Sequence, residues 1–233
     1  DIAASIQKVA EEIMIKLANS IRNEYNIKNL CLAGGVALNC VANGKILQEK
    51  IFDNIWIQPA AGDAGCSLGA ALAFWHIEHG NKREINPNDD MKGSYLGTEF
   101  SQEEIEKELE SAGANFETLN YEDLINKTSE FLSNEKVIGW FQGRMEFGPR
   151  ALGGRSILAD PRSDKMQKNL NLKVKYRESF RPFAPSVLRE DLSEWFDMNV
   201  DSPYMLFVAN VNSDKKIEMT DEQKKLFGID KLN

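Results

Sequence analysis

Residues 29–40 read NLCLAGGVALNC, and the order of residue types within them sets the fold class. Asn29 to Leu32 is an apolar run of strand length. Gly34 and Gly35 stop it, and helix formers resume in NCVANGKILQEKI, 39–51. Glycines between a strand and a helix let backbone amides approach a ligand, and the helix N-terminus behind them favours negative charge. Working outward, the same order repeats. NIWIQP (54–59) is a second strand closed by Pro59, and AAGDAGCSLGAALAFWHIEHG (60–80) is a glycine-rich turn entering a small-residue helix that Gly80 ends. On the other side, Ile2, Ile6, Val9, Ile13, Leu17 and Ile21 recur at steps of three and four, one apolar helical stripe over 2–22. Strand, helix, strand, helix indicates an α/β layer with both glycine turns at strand carboxyl ends.

GNKREINPNDDMKGS (80–94) is polar and without periodicity, so 81–92 is expected to link two domains, 1–80 and 93–233. In the second, Ser101 and Glu104 form a capping-box pair opening a helix that ends near Gly113. A strand near 115–119, a helix over 121–133 and a strand in KVIGWFQ (136–142) follow. SILADPR (156–162) reads as a strand, SDKMQKNLNLK (163–173) as a helix capped by Ser163, and YMLFVANV (204–211) as a late buried strand. The whole is α/β (α+β).

The chain carries a net charge of -8 with 42% hydrophobic and 27% charged residues, the composition of an ordinary soluble globular protein. Its nine arginines are not spread evenly: seven fall between 144 and 189. With four lysines and four acids, that window is +7, which leaves -15 for the rest. Such segregation asks for an anionic partner, while the acidic total argues against a nucleic-acid binder. No apolar run approaches the roughly 18–20 residues that span a bilayer, so no membrane is expected. The N-terminus lacks a signal-peptide pattern and an initiator Met, and a piece of a longer protein is expected. Cys31, Cys40 and Cys66 have no metal-type spacing and are read as reduced, mostly buried thiols of a cytoplasmic protein.

The arginines concentrate in GRMEFGPRALGGRSILADPR, 143–162. An arginine fork pairs with two phosphate oxygens at once, and glycines at 143, 148, 153 and 154 let backbone wrap a ligand. KVKYRESFRPFAPSV (173–187) adds Lys173, Lys175, Arg177 and Arg181, with Phe180 and Phe183 as apolar walls. Glycines and aromatics interleaved with arginine favour a phosphate or acyl-phosphate pocket over a solvated basic face. Read alone, AGGVALN (33–39) is a tight turn and Asp63 a helix cap. His76 and His79 suit a helix end better than a metal, and Trp56, Trp75, Trp140 and Trp195 are read as core. No serine lies in a nucleophile elbow, so a hydrolase triad is not expected.

Taken together, LAGGVALNCVANGKI, IWIQPAAGDAGCSLGAAL, YLGTEFSQEEIEKEL, GWFQGRMEFGPRALGGRSILADPR and KYRESFRPFAPSVL stand in the order of the O-carbamoyltransferases of the nodulation-factor and antibiotic-tailoring type, which the chain resembles to about residue 211. The resemblance implies the end of an actin-like (ASKHA) carbamoyl-transfer domain over 1–80 and a YrdC-like domain from 93, incomplete at its C-terminus. The second would form carbamoyl-adenylate from carbamoyl phosphate and ATP. The first, with a divalent metal ion (iron or similar), would pass the carbamoyl group to a hydroxyl-bearing small-molecule acceptor. By resemblance Gly34, Gly35 and Asn39 line the nucleotide and Asp63 is a metal ligand. Lys175, Arg177, Arg150 and Arg155 are the catalytic cations, and Arg144, Ser156 and Arg181 bind substrate. The family's histidine-bearing N-terminal half is the expected partner, and without it full turnover is not expected. A non-catalytic nucleotide- or phosphate-binding module is the alternative. A carbohydrate kinase of the actin-like superfold leaves the arginine window unexplained.

Overall fold

The computed structural model of the chain describes residues 2–226. Two compact units alternate along the sequence. The first holds the chain up to Thr98, Arg144–Leu152 and Met198–Asn210; the second holds Glu99–Gly143, Gly153–Asp197 and the chain from Val211. The polar stretch 81–92 therefore falls inside the first unit, and the arginine-rich stretch is shared between both.

In the first unit, α1 (Ile2–Tyr25) leads to β1 (Asn29–Leu32), a 3₁₀ turn at Gly35–Leu38 and α2 (Cys40–Gln48). β2 (Asn54–Ile57) and α3 (Asp63–Ala73) follow. β1 and β2 pair in parallel, Leu30 against Ile55 and Leu32 against Ile57, with α2 as the crossover that parallel strands require. This is the α/β layer expected from the sequence. Ala18, Leu30, Ile46 and Phe52 form one core cluster, joined by Met14, Ile15 and Ile21 of α1. Ala37, Ile57, Ala61, Met91, Tyr204 and Leu206 form the other.

The stripe of α1 is not the face that packs. Ile2, Ile6, Val9, Ile13 and Leu17 are all more than half exposed. The buried side centres on Ala18 and Glu11, whose carboxylate pairs with Lys45 of α2. Beside that pair, the amides of Gln7 and Asn39 exchange hydrogen bonds. The polar seam turns the helix so that only Ile21 of the stripe meets the core. Nor does the small-residue run of α3 pack closely: none of its residues is buried, and the helix passes straight into a π turn, Phe74–Glu78.

YMLFVANV does not form a strand, although Tyr204 and Leu206 are buried. Two of its backbone groups pair with α2 instead. The fully buried Asn43 donates to Leu206 O at 3.1 Å, and the Val208 amide to Cys40 O at 3.1 Å.

In the second unit, α4 (Gln102–Ser111) begins with the expected capping box and α5 (Tyr121–Ser133) is capped by Asn120. β3 (Ile138–Phe141) and β4 (Arg155–Leu158) pair antiparallel with Trp140 opposite Ser156. α6 (Met166–Asn169) runs into a π turn at Leu170–Val174, and α7 (Leu192–Trp195) and α8 (Asp221–Lys224) close the order. The strand expected at 115–119 is absent. Side chains hold that segment, Glu117 to Lys127 at 2.5 Å and Thr118 to Glu106 at 3.0 Å. The helix expected over 163–173 starts later, and Ser163 offers its carbonyl to the Met166 amide, not its hydroxyl as a cap.

Three of the tryptophans expected in the core, Trp56, Trp75 and Trp195, are exposed, and Trp140 is half-buried. Cys31 and Cys66 are exposed and Cys40 half-buried, against the expectation of buried thiols; none forms a disulfide. Among the described residues, no helix is long and apolar enough to cross a membrane.

Candidate functional site

In the first unit, both turns expected at strand carboxyl ends are there, and a third segment joins them. The Gly34 amide donates to Ala61 O at 2.8 Å, tying the two turns together. No atom lies within 4 Å of the positions where Gly34 and Gly35 would carry a Cβ, so the glycine turn is open. Asn39 caps α2 by accepting from the Ala42 amide at 3.1 Å. Asp63 is the first residue of α3 and is exposed; the cap position is Gly62, and no side chain caps this helix.

The joining segment is Arg144–Leu152. Met145 exchanges backbone hydrogen bonds with Gly97 and Thr98, and the Phe147 amide donates to Ser94 O at 2.6 Å. Glu146 folds the segment back by accepting from the Leu152 amide at 2.7 Å. Gly148 has φ +132°, and a Cβ there would sit 3.3 Å from Pro59 O and 3.4 Å from Ala60 Cα, so only glycine lies against that turn without strain. Arg150 then donates through Nη2 to Leu38 O at 3.2 Å. Its Nε is buried and has no hydrogen-bond partner among the described residues. Arg144 is exposed and donates to Gly97 O at 3.1 Å.

The remaining cations lie in the second unit. Arg155 stacks on Phe141 and donates to the carbonyls of Gln142, Gly143 and Gly154. Ser156 accepts from the Gly153 amide at 3.0 Å. Arg177 donates through Nε to Asn171 at 2.6 Å, with its guanidinium carbon 4.8 Å from the Phe183 ring centroid. Arg181 is exposed and pairs with Glu178 at 2.8 Å, which holds the Glu178 carboxyl below its ordinary range. Lys175 is exposed at the end of the π turn. The residues read from sequence as one set therefore divide, with Arg144 and Arg150 in the first unit and Arg155, Ser156, Lys175, Arg177 and Arg181 in the second.

Comparison with known proteins bears on both units. The profile of the carbamoyltransferase N-terminus matches residues 1–72, and that of the carbamoyltransferase C-terminus matches 129–224. The chain belongs to the carbamoyltransferase family. An uncharacterized protein of Synechocystis sp. is 56% identical over 235 residues, covering 100% of this chain and 38% of that protein. The nodulation protein NolO of Bradyrhizobium diazoefficiens is 43% identical over 219 residues, 92% of this chain and 39% of NolO. The nodulation protein NolNO of Sinorhizobium fredii is 44% identical over 220 residues, 93% of this chain and 32% of NolNO. The chain thus spans under two-fifths of the length of these relatives.

For a member of the carbamoyltransferase family, a metal at Asp63 is a natural question. Among the described residues, no three His, Cys, Asp or Glu side chains come together as a ligand set. A lone exposed carboxylate does not hold a catalytic ion, so the residues present do not fit the metal without ligands from outside this chain. Three residues that shape these loops were missed in the sequence: Glu146, Phe141 and Asn171. Glu146 is a charged residue within an otherwise apolar and glycine-rich run, and that mismatch was its signal.

Proposed function

We propose that this chain is part of an enzyme that activates carbamoyl phosphate with ATP and transfers the carbamoyl group to a hydroxyl of a small-molecule acceptor. Water takes the phosphoryl group of carbamoyl phosphate, the P–O bond breaks, and inorganic phosphate and carbamate, a poor electrophile, are left. The carbamate oxygen joins the α-phosphorus of ATP as pyrophosphate departs, giving carbamoyl-adenylate. The acceptor hydroxyl then attacks the carbonyl and AMP leaves. Arginines neutralise charge that builds on each departing phosphate, and preorganised stabilisation of this kind often supplies most of an enzyme's rate enhancement.

Family membership at both ends of the chain supports carbamoyl chemistry. The local observation that supports a phosphate site is Arg150, anchored on Leu38 O with a buried Nε that has no partner among the described residues, beside the open Gly34–Gly35 turn. An unpaired buried donor of this kind is unfavourable unless a ligand supplies an acceptor. In this reading the YrdC-like second unit takes carbamoyl phosphate, through Lys175 and Arg177, together with ATP, and the first unit is the actin-like part, which holds a nucleotide at its glycine turn. The remainder of a longer family chain supplies acceptor recognition and any ligands that join Asp63 around a divalent ion. Both phosphorylated substrates are cytoplasmic metabolites, which supports a cytoplasmic reaction.

Calorimetric titration with carbamoyl phosphate, with ATP, and with both tests the reading. Saturable binding of carbamoyl phosphate that disappears in Lys175→Ala/Arg177→Ala, and of ATP that weakens in Arg150→Ala, is expected. A folded chain that binds neither sinks the proposal. Binding of both with no pyrophosphate release, even when the rest of a family chain is supplied, leaves the non-catalytic module as the reading.

A further inference from the structure

Residues 170–183 carry three features that ordinary loop packing does not need. The first is the π turn Leu170–Val174, a form that recurs at functional sites. The second is Tyr176, a non-glycine residue at φ +49° with its side chain exposed, so no buried contact compensates the backbone strain. The third is Asn171, which is fully buried.

Asn171 uses its whole side-chain amide on the loop beyond it. Nδ2 donates to Ser179 O at 2.9 Å and Arg181 O at 2.8 Å, and Oδ1 accepts from Arg177 Nε at 2.6 Å. Its backbone carbonyl accepts the Arg177 amide at 2.9 Å. Main chain and side chain of Arg177 are thus held by one residue, while Phe183 lies against the guanidinium. Arg181 is neutralised locally by Glu178. Arg177 is different: its two terminal nitrogens make no hydrogen bond among the described residues. Anchoring at Nε leaves that terminal pair as a preformed fork of the kind that grips phosphate.

We infer that Asn171 is the positioning residue of the acyl-phosphate loop, holding Arg177 through Nε so that its terminal nitrogens meet the phosphate of carbamoyl phosphate. The inference rests on the reading that Arg177 binds that substrate. It explains why arginine and not lysine stands at 177, since a lysine has no Nε to anchor separately from its charged end.

The test combines carbamoyl phosphate titration with side-chain NMR of the Arg177 Nε–H, assigned through Arg177→Lys. Asn171→Ala and Arg177→Lys should each weaken binding about ten-fold or more, the size expected for one charge-assisted hydrogen bond. Combined, they should weaken it no further than Arg177→Lys alone. The Nε–H should be protected from exchange in the wild type and lose protection in Asn171→Ala. Wild-type affinity in Arg177→Lys, a half-buried position that tolerates lysine even if Asn171→Ala fails to fold, overturns the inference. So do losses that multiply in the double variant, or Nε–H protection that survives Asn171→Ala. Asn171-dependent protection in a chain that binds no carbamoyl phosphate upholds the anchoring of Arg177 and removes the substrate reading.

Discussion

The guanidinium carbon of Arg155 lies 3.3 Å from the centroid of the Phe141 ring, and its nitrogens reach the carbonyls of Gln142, Gly143 and Gly154. Arg155 therefore clamps the neck where the chain leaves β3 and re-enters β4, beside the backbone bond from the Gln142 amide to Gly154 O. Arg155→Lys keeps the charge but cannot span three carbonyls. It should lower the unfolding free energy by about 1–3 kcal/mol, read by urea denaturation. Unchanged stability with weakened carbamoyl phosphate binding would make Arg155 a ligand and not a clamp.

Gly44 sits inside α2, where alanine would ordinarily help by about 1 kcal/mol. A Cβ there would lie 2.2 Å from Val208 O and 3.1 Å from Val208 N, both backbone atoms that cannot rotate away. Packing should win. Gly44→Ala is expected to destabilise the chain by about 2–3 kcal/mol in chemical unfolding. A stabilised variant would mean that 204–208 does not lie on α2 in solution.

How much of this was legible beforehand depends on the range of the forces involved. The strands β1 and β2, α2 and the Ser101–Glu104 cap follow from neighbours a few residues apart, and they were readable. The orientation of α1 was not, because it is set by Gln7 and Glu11 meeting Asn39 and Lys45, more than thirty residues away. The late apolar run looked like a strand because periodicity cannot reveal that Asn43 and Cys40 pair with two of its backbone groups. The arginine window was found by counting charge, but continuity in sequence concealed its division at Gly143 and Leu152. Asn171 resembled an ordinary surface position, since its partners lie beyond a π turn that has no sequence signature.

Asp160 is buried and accepts from Arg162 through the backbone amide and the guanidinium, which pulls its pKa down to about 2. A carboxyl depressed on folding adds stability above its unfolded pKa of roughly 4, and loses it as pH falls through the folded value. Arg162→Gln should therefore have a lower thermal midpoint than wild type at pH 6. The gap should narrow between about pH 4 and 2. A gap that persists at pH 2 would show that Arg162 acts through packing and not through the Asp160 charge.

Tyr204 joins the segment 198–210 to the turn at 89–93. Its hydroxyl donates to Asp89 Oδ2, and Asp89 also accepts from the amides of Met91 at 3.0 Å and Gly93 at 3.2 Å. Burial opposes the Asp89 charge, but the hydroxyl and the two amides outweigh it and hold the carboxyl below its ordinary value. Burial, reinforced by the same carboxylate, raises the Tyr204 hydroxyl. The ring of Tyr204 belongs to the core cluster with Met91 and Leu206, so Tyr204→Phe keeps the packing and removes only the hydroxyl. That change should lower stability by about 1–2 kcal/mol at neutral pH. Asp89→Asn weakens the same contact from the other side, so the double variant should lose less than the two single losses together. Hydrogen exchange at the Met91 and Gly93 amides should accelerate in Tyr204→Phe, because a less constrained Asp89 holds them less firmly. Additive losses with unchanged exchange would mean that the hydroxyl and the turn are energetically independent, and that the core alone retains the segment.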